Sequence, residues 1–413
     1  MQGISLSRLA AVVIGNALEF YDFLIFGFFA VQIGQAFFPA TGDTGLLLTL
    51  ATFGVGFLTR PLGGVVIGRM GDRAGRKPAM FLSFGLMGFS IIGLAFTPSY
   101  SRIGYAAPLL AVLFRLVQGF ALGGEVGPST AYLMEAAPPH QRGFYVSLQF
   151  ATQQAAILTS GFVGLVLSRL MSAEMLADWG WRIAMLIGAS VVPFGLIMRR
   201  RLPETLVERS RTALPHLTRR EWVLVLLVIF MLATTTISTY VMNYMVTFGT
   251  DTLGFPPRLA FGAVVATGIC GTLFNPVGGR LADRFGFRPV MLTAMLALLA
   301  VAIPCFMAMA AWKTPSVLYA GSALMGTLLA LGTPSVMLAL SEGLPASIRS
   351  GGIGIVYAIA ISVFGGSAQF IVKWLTLVLH SPLAPAWYMS GALVIGITAR
   401  LLLPSGRQAR VVH

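Results

Sequence analysis

The chain has 413 residues, of which 56% are hydrophobic and only 10% charged, with a mean hydropathy of +0.83, whereas a soluble domain carries about 25% charged residues. A chain of that composition cannot hide its apolar surface in water, which excludes a soluble globular protein. The formal net charge of +14 would fit a nucleic-acid surface, but the Lys and Arg residues fall mostly in short connections between apolar stretches, which excludes that class in favour of a membrane-topology signal.

Crossing a hydrocarbon core of about 30 Å takes roughly 20 apolar residues in a helix. Stretches of that kind lie near residues 9–38, 45–68, 78–97, 106–135, 143–168 and 181–198, then near 222–248, 259–279, 289–311, 315–341, 351–379 and 386–403. An Arg-rich connector, residues 199–221, divides a first half (1–198) from a second (222–413). Arg8 precedes the first stretch, which Glu19 and Asp22 interrupt with no small-residue cleavage site after it, so that span is expected to be retained. One set of connections holds nearly all the basic residues and the other only Arg102, Arg169, Arg182, Arg258 and Lys313. The positive-inside rule therefore places both termini in the cytoplasm. Trp179, Trp181, Trp312, Trp374 and Trp387 near outer ends, and Trp222 near an inner one, read as an aromatic belt.

The chain repeats itself. Gly68-Arg-Met-Gly-Asp72-Arg73-Ala-Gly75-Arg76-Lys77 returns as Gly279-Arg-Leu-Ala-Asp283-Arg284-Phe-Gly286-Phe-Arg288, at an offset of 211 residues. Glu135 and Arg142, around the connection after the fourth span, return as Glu342 and Arg349 at an offset of 207. Both copies lie on the same side of the membrane, so the halves are parallel repeats. The fold class read from these observations is an all-α membrane protein of twelve transmembrane helices in two parallel six-helix halves.

This arrangement, with its G-x-x-x-D-R-x-G-R-K loop, resembles the major facilitator superfamily along essentially the whole chain. Gly15-Asn16-Ala-Leu-Glu19-Phe-Tyr21-Asp22-Phe, Arg60-Pro61-Leu-Gly63-Gly64, Arg115-Leu-Val-Gln118-Gly119-Phe-Ala-Leu-Gly123-Gly124-Glu125 and Arg142-Gly143-Phe144-Tyr145 look like the metabolite:proton symporters. Asp22-Phe-Leu-Ile-Phe26-Gly27-Phe28, Ala36-Phe37-Phe38-Pro39-Ala40, Gln153-Gln154-Ala-Ala-Ile, Asp178-Trp179-Gly180-Trp181-Arg182-Ile and Thr234-Thr-Thr236 look like that group's citrate and tricarballylate carriers. Lys373 departs from that pattern. The resemblance implies import of a small di- or tricarboxylate with protons across the bacterial inner membrane by a functional monomer. Carriers of α-ketoglutarate, shikimate or betaine share the pattern, and a transport-inactive sensor is the alternative from another class.

Charges at bilayer depth cost free energy and mark function by default. Asp22 and Glu19, three apart on one helical face, are the expected proton-coupling carboxylates; a fixed ion pair of Asp22 with an arginine is the structural alternative. Arg115, well inside the fourth span, has a planar fork suited to a carboxylate. Arg60 is placed in the cavity or at the cytoplasmic surface, and Lys373 at the anion site or snorkelling outward. Asn16, Gln118, Gln149, Gln153, Tyr240, Asn243, Tyr244 and Asn275 complete the expected substrate contacts, with Gln149/Gln153 and Tyr240/Asn243/Tyr244 each on one helical face.

Asp72, Arg73, Arg76, Lys77, Glu135, Arg142, Asp283, Arg284, Arg288, Glu342 and Arg349 are expected to form a cytoplasmic gate in which charges and helix ends pair in one state only. Arg182 reads as an interfacial anchor. His140, His216, His380 and His413 lie in connections or at the terminus, and Cys270 and Cys305 lack metal or disulfide spacing. No GxxxxGK[ST] loop or catalytic constellation occurs, so no cofactor, metal, nucleic-acid partner or enzyme activity is expected.

Overall fold

In the lipid interior every backbone N–H and C=O must be paired within its own segment, which leaves the helix as the spanning element for chains of this pattern. The computed structural model describes residues 20–21, 23–39, 42–74, 76–123, 137–190, 218–343 and 356–403. Ten long helices and the described parts of two others follow one another: α1 (Ala30–Phe37, continuing helical residues 23–28), α2 (Gly42–Met70), α3 (Arg76–Phe96), α4 (Ala106–Leu122), α5 (Arg142–Leu170), α6 (Trp181–Ala189), α7 (Glu221–Thr252), α8 (Pro257–Phe285), α9 (Phe287–Trp312), α10 (Pro315–Gly343), α11 (Val356–Val378) and α12 (Ala384–Leu402). The protein is a multi-pass membrane protein with twelve transmembrane helices in two parallel six-helix halves.

Local chemistry sets several boundaries. Thr218 caps α7 by accepting from the Glu221 backbone N–H, and the Glu221 carboxylate accepts from the Thr218 N–H in return. The helix of α2 loosens into a turn at Thr59, just before Arg60-Pro61. Proline lacks the N–H that would continue the ladder, and beside it the Thr59 hydroxyl ties the turn to α4 by donating to the Leu116 carbonyl, 2.6 Å away. Pro276 in α8 and Pro334 in α10 weaken their helices beside Asn275 and Thr333.

Two antiparallel seams join the halves. Along α5–α8 the backbones touch at Gly143 and Gly279, where a methyl group on either would sit 2.5 Å from the other's carbonyl oxygen. Contact continues through Gln154 against Gly271 and Gly161 against Val264. Small residues permit such approach where lipid provides no hydrophobic drive between helices. The second seam, α2–α11, closes at Gly54 and Gly366, where a methyl on Gly54 would lie 2.5 Å from the Gly366 carbonyl oxygen. The internal repeat carries α2 onto α8 and α5 onto α11, so the seams are counterparts. They are unequal: α5–α8 is packed along its length, whereas the α2–α11 contacts described lie toward the start of α2.

Two sequence expectations are corrected. Trp181 is not part of the aromatic belt: it is 0% exposed, donates its indole N–H to the Ala177 carbonyl at 3.0 Å and packs edge-on against Phe37, centroids 5.1 Å apart. The other five tryptophans are exposed, as a belt requires. Nor is Arg182 a mere interfacial anchor. One guanidinium nitrogen donates to the carbonyls of Ala95 (2.6 Å) and Thr97 (2.7 Å), filling acceptors at the end of α3, and the group lies 4.1 Å over the Trp181 ring. The side chain was placed correctly near a helix end, but its partners are protein carbonyls that a linear reading cannot see.

Candidate functional site

A small cavity lies between the halves, with a free volume of about 70 Å³. Its polar lining comes from α5 (Gln153, Gln154), α7 (Thr235, Thr236, Thr239, Tyr240, Asn243), α8 (Asn275), α10 (Thr333) and α11 (Tyr357). Thr235, Thr236, Thr239, Tyr240 and Asn243 fall at helical spacing, so α7 presents one polar stripe. Phe20, Leu24, Phe150, Ile157 and Met337 add apolar wall. Asn275 donates to the Gly271 carbonyl at 2.7 Å, leaving its buried side-chain oxygen without a partner among the described residues. Among the same residues Gln153 has an unpartnered buried amide nitrogen, and Gln154 an amide oxygen. A lining that is polar yet incompletely satisfied is one that water or a ligand completes. None of the described lining residues is charged.

The cations stand behind this lining, in the first half. Arg60 is 8% exposed and Arg115 0%, and both guanidiniums lie against Phe23, at 4.3 Å and 4.2 Å from its centroid. Arg60 also lies 4.2 Å over Phe57, and Arg115 faces Phe26 at 4.6 Å and Phe53 at 5.0 Å. The cage has a sequence origin: Phe23 and Phe26 are three apart on the first helix, Phe53 and Phe57 four apart on α2, so each pair shares a face. Arg115 donates to Gln118 Oε1 at 2.7 Å, one turn along α4, and to the Phe53 carbonyl at 3.1 Å. Its Nε is buried with no partner among the described residues. Gly56 makes the space, since a methyl there would lie 3.3 Å from the guanidinium. Aromatic faces stabilise a desolvated guanidinium by about 2 kcal/mol, less than an uncompensated buried charge costs, so the free Nε of Arg115 is suited to an anion.

Tyr240 joins cage and cavity. It lines the cavity and packs edge-on against Phe57 (5.5 Å) and tilted against Phe53 (6.1 Å). Behind it, the wide helical turn Ile361–Gly365 of α11 accommodates the ring: a methyl on Gly365 would lie 2.7 Å from Tyr240 Cε2.

Of the expected substrate residues, the cavity lining therefore brings together Gln153, Tyr240, Asn243 and Asn275. Arg60, Arg115 and Gln118 lie in or against the aromatic cage. Gln149 and Tyr244 are buried outside the lining. Asn16, Glu19, Asp22, Glu125, Glu135 and Arg349 fall outside the described residues, as do the side chains of Asp72, Arg76, Lys77 and Glu342.

Among the gate residues, Asp283 accepts hydrogen bonds from the backbone N–H groups of Gly143 (2.7 Å) and Phe144 (2.9 Å), capping α5 from the other half. Arg73, Arg142 and Arg284 are exposed. Arg288 packs 5.7 Å from the ring centroid of Phe287. Lys373 takes neither expected place. It is 3% exposed, with its ammonium 2.6 Å from both Asp43 and Asp251, two carboxylates that stand at helix ends.

A sequence profile of the Major Facilitator Superfamily matches residues 12–368. The chain is 35% identical to a citrate-proton symporter of Klebsiella pneumoniae, with 97% of this chain and 92% of the relative aligned. It is 33% identical to an alpha-ketoglutarate permease of Escherichia coli K12, covering 94% and 91%. The crystal structure of a D-xylose-proton symporter superposes with a TM-score of 0.77 over 97% of this chain and 98% of that one, at 18% identity, which is agreement in fold. The chain belongs to the major facilitator superfamily, and its likeness to that superfamily's metabolite:proton symporters runs nearly end to end.

Proposed function

We propose that the protein is a secondary transporter that imports a small di- or tricarboxylate of the citrate or tricarballylate type together with protons, its halves (1–198 and 222–413, joined by residues 199–221) rocking about the central cavity. The single observation that carries the substrate class is the buried Arg115 guanidinium beside the cavity, set against the Phe23 ring that it shares with Arg60, with its Nε unpartnered among the described residues. A buried cation with an unfilled donor in a bilayer calls for an anionic partner. The citrate-proton symporter relative, aligned along 97% of the chain, supports the same class.

The distribution of basic connections supports a cytoplasmic position for the Arg142 and Asp283 end, with both termini. The cavity spans the middle of the bundle: Tyr357 is near the start of α11 and Met337 in the last third of α10, while Thr239 and Asn243 lie in the outer half of α7. The Asp43–Lys373–Asp251 cluster closes the opposite, outer end. On this reading both ends are engaged, the outer by the Asp43–Lys373 bond and the cytoplasmic by Asp283 capping α5 as one member of the gate, as in an occluded state. Asp22 and Glu19 are the coupling carboxylates: a proton bound with the anion offsets its charge against an inside-negative potential of about 2.3 kcal/mol per charge per 100 mV.

The uncharged, hydroxyl-rich cavity lining favours a second reading, a proton symporter of a shikimate, betaine or α-ketoglutarate type of metabolite. Proteoliposomes with imposed pH and voltage gradients separate the two. Saturable, pH-driven uptake of labelled citrate, competed by tricarballylate and not by shikimate or betaine, is expected; absence of citrate and tricarballylate transport overturns the substrate assignment.

A further inference from the structure

Lys373, Asp43 and Asp251 come from three helices and both halves: Asp43 opens α2, Asp251 ends α7 and Lys373 lies in the last turns of α11. The two 2.6 Å ion pairs are not equivalent. Lys373 and Asp251 belong to the same half, so their pair survives any rigid movement of one half against the other. The bond from Lys373 to Asp43 crosses between halves and cannot.

Burial runs the same way. The Lys373 side chain is 3% exposed, Asp251 22% and Asp43 57%. An ammonium at that depth is costly without a counter-ion, and Asp251 provides one in every arrangement. One turn along α11 lies Gln369, and two turns before Asp251 on α7 lies Tyr244, both uncharged and 1% exposed. The cavity side thus offers Lys373 no other carboxylate among the described residues. Asp43, in contrast, is already more than half in solvent and stands in the first turn of α2, where the helix dipole stabilises a carboxylate with or without the lysine. The Gly54–Gly366 contact lies farther along the same antiparallel seam, so parting Asp43 from Lys373 is the step that frees α2 from α11 at this end.

We infer that Lys373 is the gating residue of the end opposite Asp283: held on its own half by Asp251 in all states, it binds Asp43 only when that end is shut. The inference rests on the alternating-access reading above. It assigns opposite effects to the two carboxylates. Removing the Asp43 charge deletes only a bond of the closed state and favours opening. Removing the Asp251 charge strips the lysine of the counter-ion it needs when open and favours closure. A merely structural ion cluster would respond to both losses in the same direction.

The experiment places one cysteine at Thr239, a cavity-lining residue, in full-length protein with Cys270→Ser and Cys305→Ser, and times its modification by a membrane-impermeant maleimide added outside right-side-out vesicles. Asp43→Asn is expected to raise the labelling rate at least fivefold, and Asp251→Asn to lower it below that of the parent, with detergent-extracted variants remaining monodisperse. Equal rates in Asp43→Asn and parent, or shifts of the same sign in both variants, overturn the inference. Failure of the transport reading looks different: the parent then accumulates none of the candidate substrates in proteoliposomes, whatever the labelling rates.

Discussion

Tyr240 of α7 packs edge-on against Phe57 of α2 with ring centroids 5.5 Å apart, so the wall of the cavity and the cage around the arginines share one aromatic contact across the two halves. Truncating this ring opens the cage and leaves a void. Tyr240→Ala should lower stability by about 3–5 kcal/mol, as for large aromatic truncations, read as a lowered unfolding midpoint in detergent. Tyr240→Phe keeps the packing, and a loss of transport confined to its KM would mark the hydroxyl as a substrate contact.

Arg115 tests the anion assignment. Lysine preserves the charge but not the planar fork or the stacking on Phe23, Phe26 and Phe53. Arg115→Lys is expected to weaken substrate binding about tenfold or more, equivalent to about 1.4 kcal/mol, and Arg115→Gln to abolish it. Isothermal titration or scintillation proximity with the labelled carboxylate checks both. Retained affinity in Arg115→Gln would remove this residue from the binding site.

Asp22 tests the coupling assignment. Asp22→Asn is expected to retain exchange of labelled for unlabelled substrate across the membrane while losing accumulation driven by a pH gradient. Unaltered pH-driven accumulation in this variant would rule out Asp22 as the coupling carboxylate.

Asp283 caps α5 through two backbone N–H groups. Asp283→Ala should cost about 1 kcal/mol or somewhat more of closed-state stability, and Asp283→Asn less, because an amide oxygen still accepts one of the two bonds. The measurement is thiol reactivity at the Asp283 end in inside-out vesicles, which should rise in the order parent, Asn, Ala.

The α2–α11 seam tests how closely the halves must meet. Gly54→Val puts branched carbon against the Gly366 carbonyl; overpacking of this kind costs about 1–3 kcal/mol. The variant is expected to hold the outer end apart, raising external labelling at Thr239→Cys and depressing net uptake more than substrate affinity.

Much of this architecture is legible in the chain itself. The second-span motif ending at Lys77 and its echo at Arg288 specify two halves, and the apolar stretch read at 143–168 lies within the helix Arg142–Leu170. Periodicity reports which face of a helix is apolar or polar, so the α7 polar stripe could be anticipated from Tyr240 and Asn243. What it does not report is which partner arrives from another helix. Lys373 looked like an anion ligand or a snorkelling residue because its carboxylates stand 330 and 122 positions away. Arg115 is legible as a cation inside its span and Arg60 only as a choice between cavity and cytoplasmic surface, and their common ring at Phe23 depends on how α1, α2 and α4 cross. The phenylalanines of residues 23–28 carry part of the resemblance to the citrate carriers, but the sequence assigns neither them nor Phe53 and Phe57 a physical role. Their use as cation faces emerges only when a guanidinium lies against them.

Trp181 gives the molecule a native optical probe. Five of the six indoles are exposed at the surface of the bundle, and only this one is held fast, with Phe37 at its edge and the Arg182 guanidinium over its face. An immobilised, asymmetrically surrounded indole dominates near-ultraviolet circular dichroism, while the five others contribute broad, environment-averaged emission. Any step of the cycle that slides α1 against α6 should therefore appear in the dichroism of the unlabelled protein, without an introduced dye or cysteine.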